Sequence, residues 1–109
     1  MTPYHHGFTV MWKYRVRPER LSQFQDLYGA AGAWSELFSR AEAYRGTALL
    51  RDRADRLVFV TVDRWESEAA YLAFRDRHAA PYDDLDARCD ELTEVEVHVG
   101  SFVEVDPVS

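Results

Sequence analysis

The chain has 109 residues, enough for one domain with a single core. It is 47% hydrophobic and 29% charged, a globular composition with no low-complexity tract. A net charge of −6 without a basic cluster argues against nucleic acid as a partner, and no apolar run approaches the ~20 residues that span a bilayer. The single cysteine, Cys89, has no internal disulfide partner. Met1–His6 lacks a charged start and apolar centre of the kind that directs export. Both features point to a reducing cytoplasm. Three tryptophans, six tyrosines and six phenylalanines suit a flat-walled pocket or an interface as well as plain packing.

Residues 8–16, FTVMWKYRV, alternate strictly, with Phe8, Val10, Trp12, Tyr14 and Val16 on one side of a half-buried strand. Pro18 and Glu19 then open a helix whose inward stripe is Leu21, Phe24, Leu27 and Tyr28. Gly29 and Gly32 interrupt it, and AWSELFSRA forms a second helical piece. TALLRD, a turn at RADR and LVFVTVDRW make a hairpin over residues 47–65. Ser67 is a natural N-cap, with Glu68 favoured in the first turn. Pro81 breaks that helix and opens another piece with the stripe Tyr82, Leu85, Cys89 and Leu92. Residues 93–105 alternate Val95, Val97 and Val99 against Glu94, Glu96 and His98 in a long last strand.

The order β-α-β-β-α-β with right-handed crossovers defines an α+β, ferredoxin-like domain, with a four-stranded antiparallel sheet in the order 4-1-3-2. The domain is expected over residues 8–105, between an N-terminal tail (1–7) and a C-terminal tail (106–109). An edge strand as long as the last one is an aggregation hazard unless a partner covers it, so a symmetric homodimer is expected, with the uncovered sheet faces together.

VRPERLSQFQDLY, AWSELFSRAEAYRGTALLRD, VTVDRWESEAAYLAF and VHVGSFVEV resemble the antibiotic biosynthesis monooxygenase family, within the dimeric α+β barrel group. The most specific element is the hairpin ending in a tryptophan, followed by Ser/Glu-Ala at a helix start. The resemblance implies a small aromatic ligand between sheet and helices. Some members oxygenate aromatic polyketides to quinones without metal or flavin, and some degrade haem.

In the quinone-forming members a tryptophan at this strand end lines the substrate pocket. That implies a pocket role for Trp65, which would serve equally to close the core. Tyr71 falls where active members place a pocket tyrosine, whose phenol can donate to a developing oxyanion. It would also suit a helical tyrosine covering an apolar edge. Those members carry an asparagine four residues before the tryptophan; Thr61 stands there, with a hydroxyl in place of an amide. Haem-degrading members carry an asparagine on the first strand, where this chain has Tyr14. Trp12, Tyr14, Thr61 and Phe74 are the expected ligand contacts.

His78 shares a helix face with Ala70 and Phe74, and its imidazole titrates near neutral pH. It is therefore the candidate general base for a phenolic proton, beside the readings of a haem ligand and of a hydrogen-bonded histidine at the helix break. Tyr71 and Trp65 complete the expected catalytic set. His98 belongs to a solvated or interface strand face, and His5 and His6 to the tail. No metal is expected, because neither H-x-x-x-H nor C-x-x-C occurs. No cofactor is expected either, since no glycine-rich nucleotide motif is present. Two function classes follow: a cofactor-independent monooxygenase acting on a phenolic, polyketide-like molecule, and a non-catalytic dimeric ligand-binding or accessory protein of the same fold.

Overall fold

A computed structural model describes residues 7–105; His5, His6 and residues 106–109 lie outside them. Strand β1 (Phe8–Val16) leads through a 3-10 turn into helices α1 (Leu21–Tyr28) and α2 (Ala33–Phe38). The hairpin strands β2 (Tyr44–Arg51) and β3 (Val58–Trp65) follow, then α3 (Glu68–Arg77), α4 (Ala79–Cys89) and β4 (Thr93–Val103). The sheet runs β2-β3-β1-β4 with every neighbouring pair antiparallel, which is the expected 4-1-3-2 order. The Gly7 carbonyl accepts the Glu104 N–H at 2.8 Å and extends the β1–β4 pairing by one residue.

Each helix break has a local cause. At the first, a Cβ on Gly32 would stand 2.4 Å from the Asp26 carbonyl oxygen, so only glycine lets α2 turn back so closely on α1. At the second, α3 is capped by Ser67, whose Oγ accepts the Ala70 N–H at 3.2 Å, and it ends at His78. Pro81 then occupies the first turn of α4, where a backbone donor has no intrahelical acceptor to lose.

All four helices lie on one face of the sheet. Phe8, Val10, Tyr14 and Val16 of β1 meet Phe59 and Trp65 of β3 there, under Phe24, Tyr28, Leu37, Phe38, Phe74, Leu85 and Leu92. The opposite face has no helix over it. Leu50, Val95, Val97 and Phe102 each leave about half of their surface in water.

Strand β2 starts at Tyr44, three residues before the hairpin expected from alternation. A bulge separates the pairs Tyr44–Trp65 and Gly46–Arg64, with Arg45 as the extra residue. Tyr44 and Thr47 are three apart and would face opposite sides of a regular strand. The bulge turns both onto the helix-covered face. Gly46 makes this possible at φ 116°, a region that side chains avoid. A Cβ there would meet nothing within 4 Å, so the constraint is conformational rather than steric crowding.

Gly46→Ala is therefore expected to destabilise the fold by about 1–2 kcal/mol through backbone strain alone. Phe74→Ala, which empties a core position, should cost about 3–5 kcal/mol. Urea titrations of the two variants check both values; an unchanged Gly46→Ala midpoint would show that the bulge relaxes without strain.

Candidate functional site

The helix-covered sheet face holds a polar row among its aromatic residues. On β3, the inward positions after Phe59 are Thr61, Asp63 and Trp65, so the alternation carries a carboxylate into the core. Asp63 is buried, though at 9% exposure less completely than Phe59 and Trp65. Its Oδ1 accepts a 2.7 Å hydrogen bond from the Thr47 hydroxyl, its cross-strand partner on β2. Thr47 Oγ1 in turn bonds the Tyr44 hydroxyl, which lies 3.3 Å from Ser35 Oγ on α2. The Tyr14 hydroxyl is 3.4 Å from Thr61 Oγ1 in the same layer.

Above this row a cleft opens between the sheet and the helices. Its floor is Tyr14, Thr47, Thr61 and Asp63, and its walls are Trp12, Tyr28, Trp34, Phe38 and Tyr82. Asp86 and Glu96, both exposed to solvent, stand at the mouth. Within the cleft only about 30 Å³ admits the centre of a water molecule. As folded it holds a water or two and no larger guest. Two of the walls, Trp12 and Tyr82, are only partly buried. Trp12 rests on the His98 ring at 4.9 Å, and the Arg75 guanidinium lies 3.8 Å from the centre of the Tyr82 ring.

Burial sets the protonation of this site. It pushes the Tyr14, Tyr28 and Tyr82 hydroxyls far above the usual phenol range, so all three remain hydrogen-bond donors at neutral pH. Burial also raises the Asp63 carboxyl to about 6, against a smaller opposing effect of the Thr47 donor. Asp86 and Glu96 are raised as well, first by loss of water and then by neighbouring carboxylates. Among the described residues, no cation is paired with Asp63 and no group of three or more ligating side chains could hold a metal.

Of the residues expected to bind a ligand, Trp12, Tyr14 and Thr61 line this cleft. Phe74 lies outside it, in a second aromatic cluster with Trp65 and Tyr71. Trp65 is 1% exposed, packed between Phe38, Tyr44, Tyr71 and Phe74, and its indole N–H has no acceptor. Phe38 belongs to both groups, so its ring stands between Trp65 and the cleft. The Tyr71 ring packs on Phe8, and its hydroxyl accepts from Arg75 at 2.9 Å.

His78 does not share a cavity with Trp65 and Tyr71. It sits at the break between α3 and α4, still in line with Ala70 and Phe74, and the three line one groove. There it packs 5.0 Å from the Phe74 ring and borders an outer groove beside Arg40 and Arg77, none of whose lining residues lines the cleft.

Asp63 and Thr47 carry the polar chemistry of the cleft, and neither was expected from the sequence. One signal was present: in VFVTVDRW, Asp63 falls on the same alternation phase as Phe59 and Trp65, an acid at an inward position.

A four-stranded ferredoxin-like sheet with all its helices on one face places the protein in a class of small α+β folds. Residues 7–80 match the antibiotic biosynthesis monooxygenase family, and the chain belongs to it. Among solved structures it is similar to a variant of SnoaB, a cofactor-independent oxygenase from Streptomyces nogalater, at 17% identity and a TM-score of 0.71, with 94% of this chain and 96% of that one covered. A conserved protein from Methanosarcina mazei Go1 aligns at 12% identity and a TM-score of 0.71, over 93% and 95% of the two chains. A protein from Pseudomonas aeruginosa aligns at 11% identity and a TM-score of 0.69, over 96% and 100%. At these identities the likeness is one of fold. No curated protein sequence matches this chain.

The buried carboxylate makes stability depend on pH. The Asp63 pKa is higher in the folded chain, about 6, than its ordinary 3.8, so the folded state holds the proton more tightly. Stability from this group is greatest below about pH 4 and falls as pH rises to about 6. Asp63→Asn removes that loss and should be more stable than the wild type at pH 7 by up to about 3 kcal/mol. The advantage should vanish at pH 4. Chemical denaturation at the two pH values checks it, and an equal difference at both would mean that Asp63 is ionised without cost.

Proposed function

We propose that the protein is a cofactor-independent monooxygenase that oxidises a flat, phenolic, polyketide-like molecule in the cleft, acting in the cytoplasm as a homodimer. The observation that carries this reading is the cleft itself: aromatic walls over a hydrogen-bonding floor, in a chain of this family. Trp12 and Tyr82 move aside on entry, since the closed cleft has room only for water. A planar ring then lies between Trp12, Trp34 and Tyr82, with its oxygens toward Tyr14, Thr61 and Asp63. Such walls strip water from the ligand, and the few polar groups orient it.

The chemistry needs no external reductant. An ionised phenol is electron-rich enough to pass an electron to dioxygen. One oxygen atom ends in the product as a new carbonyl, and the other leaves as water with two hydrogens taken from the substrate. Trp65, Tyr71 and Phe74 support the reaction by fixing the wall at Phe38. A base role for His78 would require its ring to pass Phe74 and enter the cleft.

The uncovered sheet face supports the homodimer. Leu50, Val95, Val97 and Phe102 are a row of apolar side chains that a second copy would remove from water. Thr61 favours a second reading, a non-catalytic ligand-binding protein, because its hydroxyl cannot offer the two N–H donors of the amide that the resemblance places there.

Oxygen uptake with 1,8-dihydroxyanthrone separates the two readings. Monooxygenation predicts consumption of one dioxygen per quinone formed, with His78→Ala within a few-fold of wild type because its groove lies apart from the cleft. Binding without oxygen uptake across pH 6–9 would leave only the non-catalytic protein. Sedimentation should give a dimer at micromolar concentration and a monomer for Val97→Asp; a wild-type monomer would refute the assembly.

A further inference from the structure

We propose that Asp63 is the proton acceptor of the cleft: its free oxygen takes the phenolic proton of the ligand, and Thr47 is the positioning residue that holds the carboxylate toward it. This rests on the reading of the cleft as a phenol site and adds to it the group that starts the chemistry.

The cleft leaves one group for the task. Tyr14 on β1, Tyr28 on α1 and Tyr82 on α4 face the cleft, and burial keeps all three protonated. Each can donate to the ligand, and none can take its proton at neutral pH. Asp86 on α4 and Glu96 on β4 are acceptors, but they stand at the exposed mouth, where water competes for any proton. Arg75 on α3 lies over the outer side of Tyr82 and forms no ion pair with Asp63 among the described residues. Asp63 lies on the floor beside Thr61, and the Thr47 hydroxyl bonds its Oδ1.

The transfer is balanced within the cleft. The ligand O–H bond breaks, its electron pair stays on the phenolate oxygen, and an O–H bond forms on Asp63. The negative charge moves from one buried oxygen to another, so no new charge is created in a poorly solvated space. Dioxygen then takes one electron from the phenolate, and the superoxide and substrate radical so formed join through a new C–O bond at a ring carbon that bears hydrogen. Asp63 returns its proton to the resulting peroxide; that carbon's C–H bond then breaks as the O–O bond cleaves, leaving a carbonyl, and the departing hydroxide takes the C–H proton to become water. Burial suits the carboxyl to this work, because a base that titrates near working pH is ionised when the ligand arrives yet holds the proton once transferred. Thr47 tunes that balance: its donor favours the carboxylate, against the effect of burial. Thr47 stands directly opposite Asp63 in the β2–β3 register, and this pairing brings its hydroxyl to the carboxylate.

Two readouts test this. The first is oxygen uptake with 1,8-dihydroxyanthrone, where kcat/KM should rise with pH through about 6. Asp63→Asn should lower kcat by about 10²–10⁴ and remove that rise, with ligand affinity within a few-fold. Thr47→Val should move the midpoint to higher pH, and Thr47→Ser should restore it, whereas a merely structural threonine would change the rate without moving the midpoint. The second readout uses 2-naphthol, a phenol that becomes a strong acid when excited, illuminated beyond tryptophan absorption. Bound to the wild type above pH 6 it should emit as naphtholate, because a carboxylate accepts its proton; bound to Asp63→Asn it should emit as neutral naphthol. Naphtholate emission that depends on Asp63 without any oxygen uptake would end the monooxygenase reading and leave the proton acceptor in place. Oxygen uptake that survives Asp63→Asn with its pH midpoint unmoved would overturn the acceptor and leave the monooxygenase. Failure of both probes to bind would overturn both.

Discussion

One constraint governs this molecule: four strands present two faces, and the helices cover only one of them. Because the pleat alternates, every second residue of β1 and β3 must enter the helix-covered layer, whatever its chemistry. That rule sends Phe8, Val10, Phe59 and Trp65 inward, where their burial drives folding. The same rule sends Thr61 and Asp63 inward between them. The polar row of the cleft therefore follows from the alternation that builds the core. The uncovered face follows from it as well, since Val95 and Val97 are placed outward by pairing with Arg15 and Lys13.

An ionised carboxylate inside an aromatic layer costs stability unless donors surround it. Asp63 has one such donor from Thr47, too few to offset burial, and its carboxyl is pushed up to about 6. A core optimised for stability alone would carry an apolar residue at this position. The site is thus a place where the fold gives up stability for a group able to exchange a proton near neutral pH, as perturbed carboxyls in clefts commonly are.

The aromatic residues divide into two territories that meet at Phe38. Around Trp65 the rings of Phe38, Tyr44, Tyr71 and Phe74 pack at centroid distances of 5.1–5.5 Å on a fully buried indole. Around the cleft, Trp12 and Tyr82 remain partly open to water. The indole of one territory is thus closed to water, and the other territory keeps two of its rings at the surface.

The sequence by itself determined the order of strands and helices, the sheet order and the inner face of β1, because strict alternation and helical spacing are local signals of burial. Ser67 as a cap and Pro81 at the helix break were legible for the same reason: each acts through its own neighbours. Trp12 and Tyr14 were placed on one face by alternation and Thr61 was named only through the resemblance, so spacing could not say that the three share a cleft while Phe74 belongs with Trp65. His78 shows the limit most clearly. Its spacing puts it on one groove with Ala70 and Phe74, as expected, but that groove is separate from the cleft, which no spacing along one helix could reveal. The meeting of Tyr44, Thr47 and Asp63 was decided by tertiary structure alone. It depends on a one-residue bulge at Arg45, permitted by the positive φ of Gly46, which reverses the side that periodicity assigns. A bulge is a property of two paired strands, and no single strand carries its register.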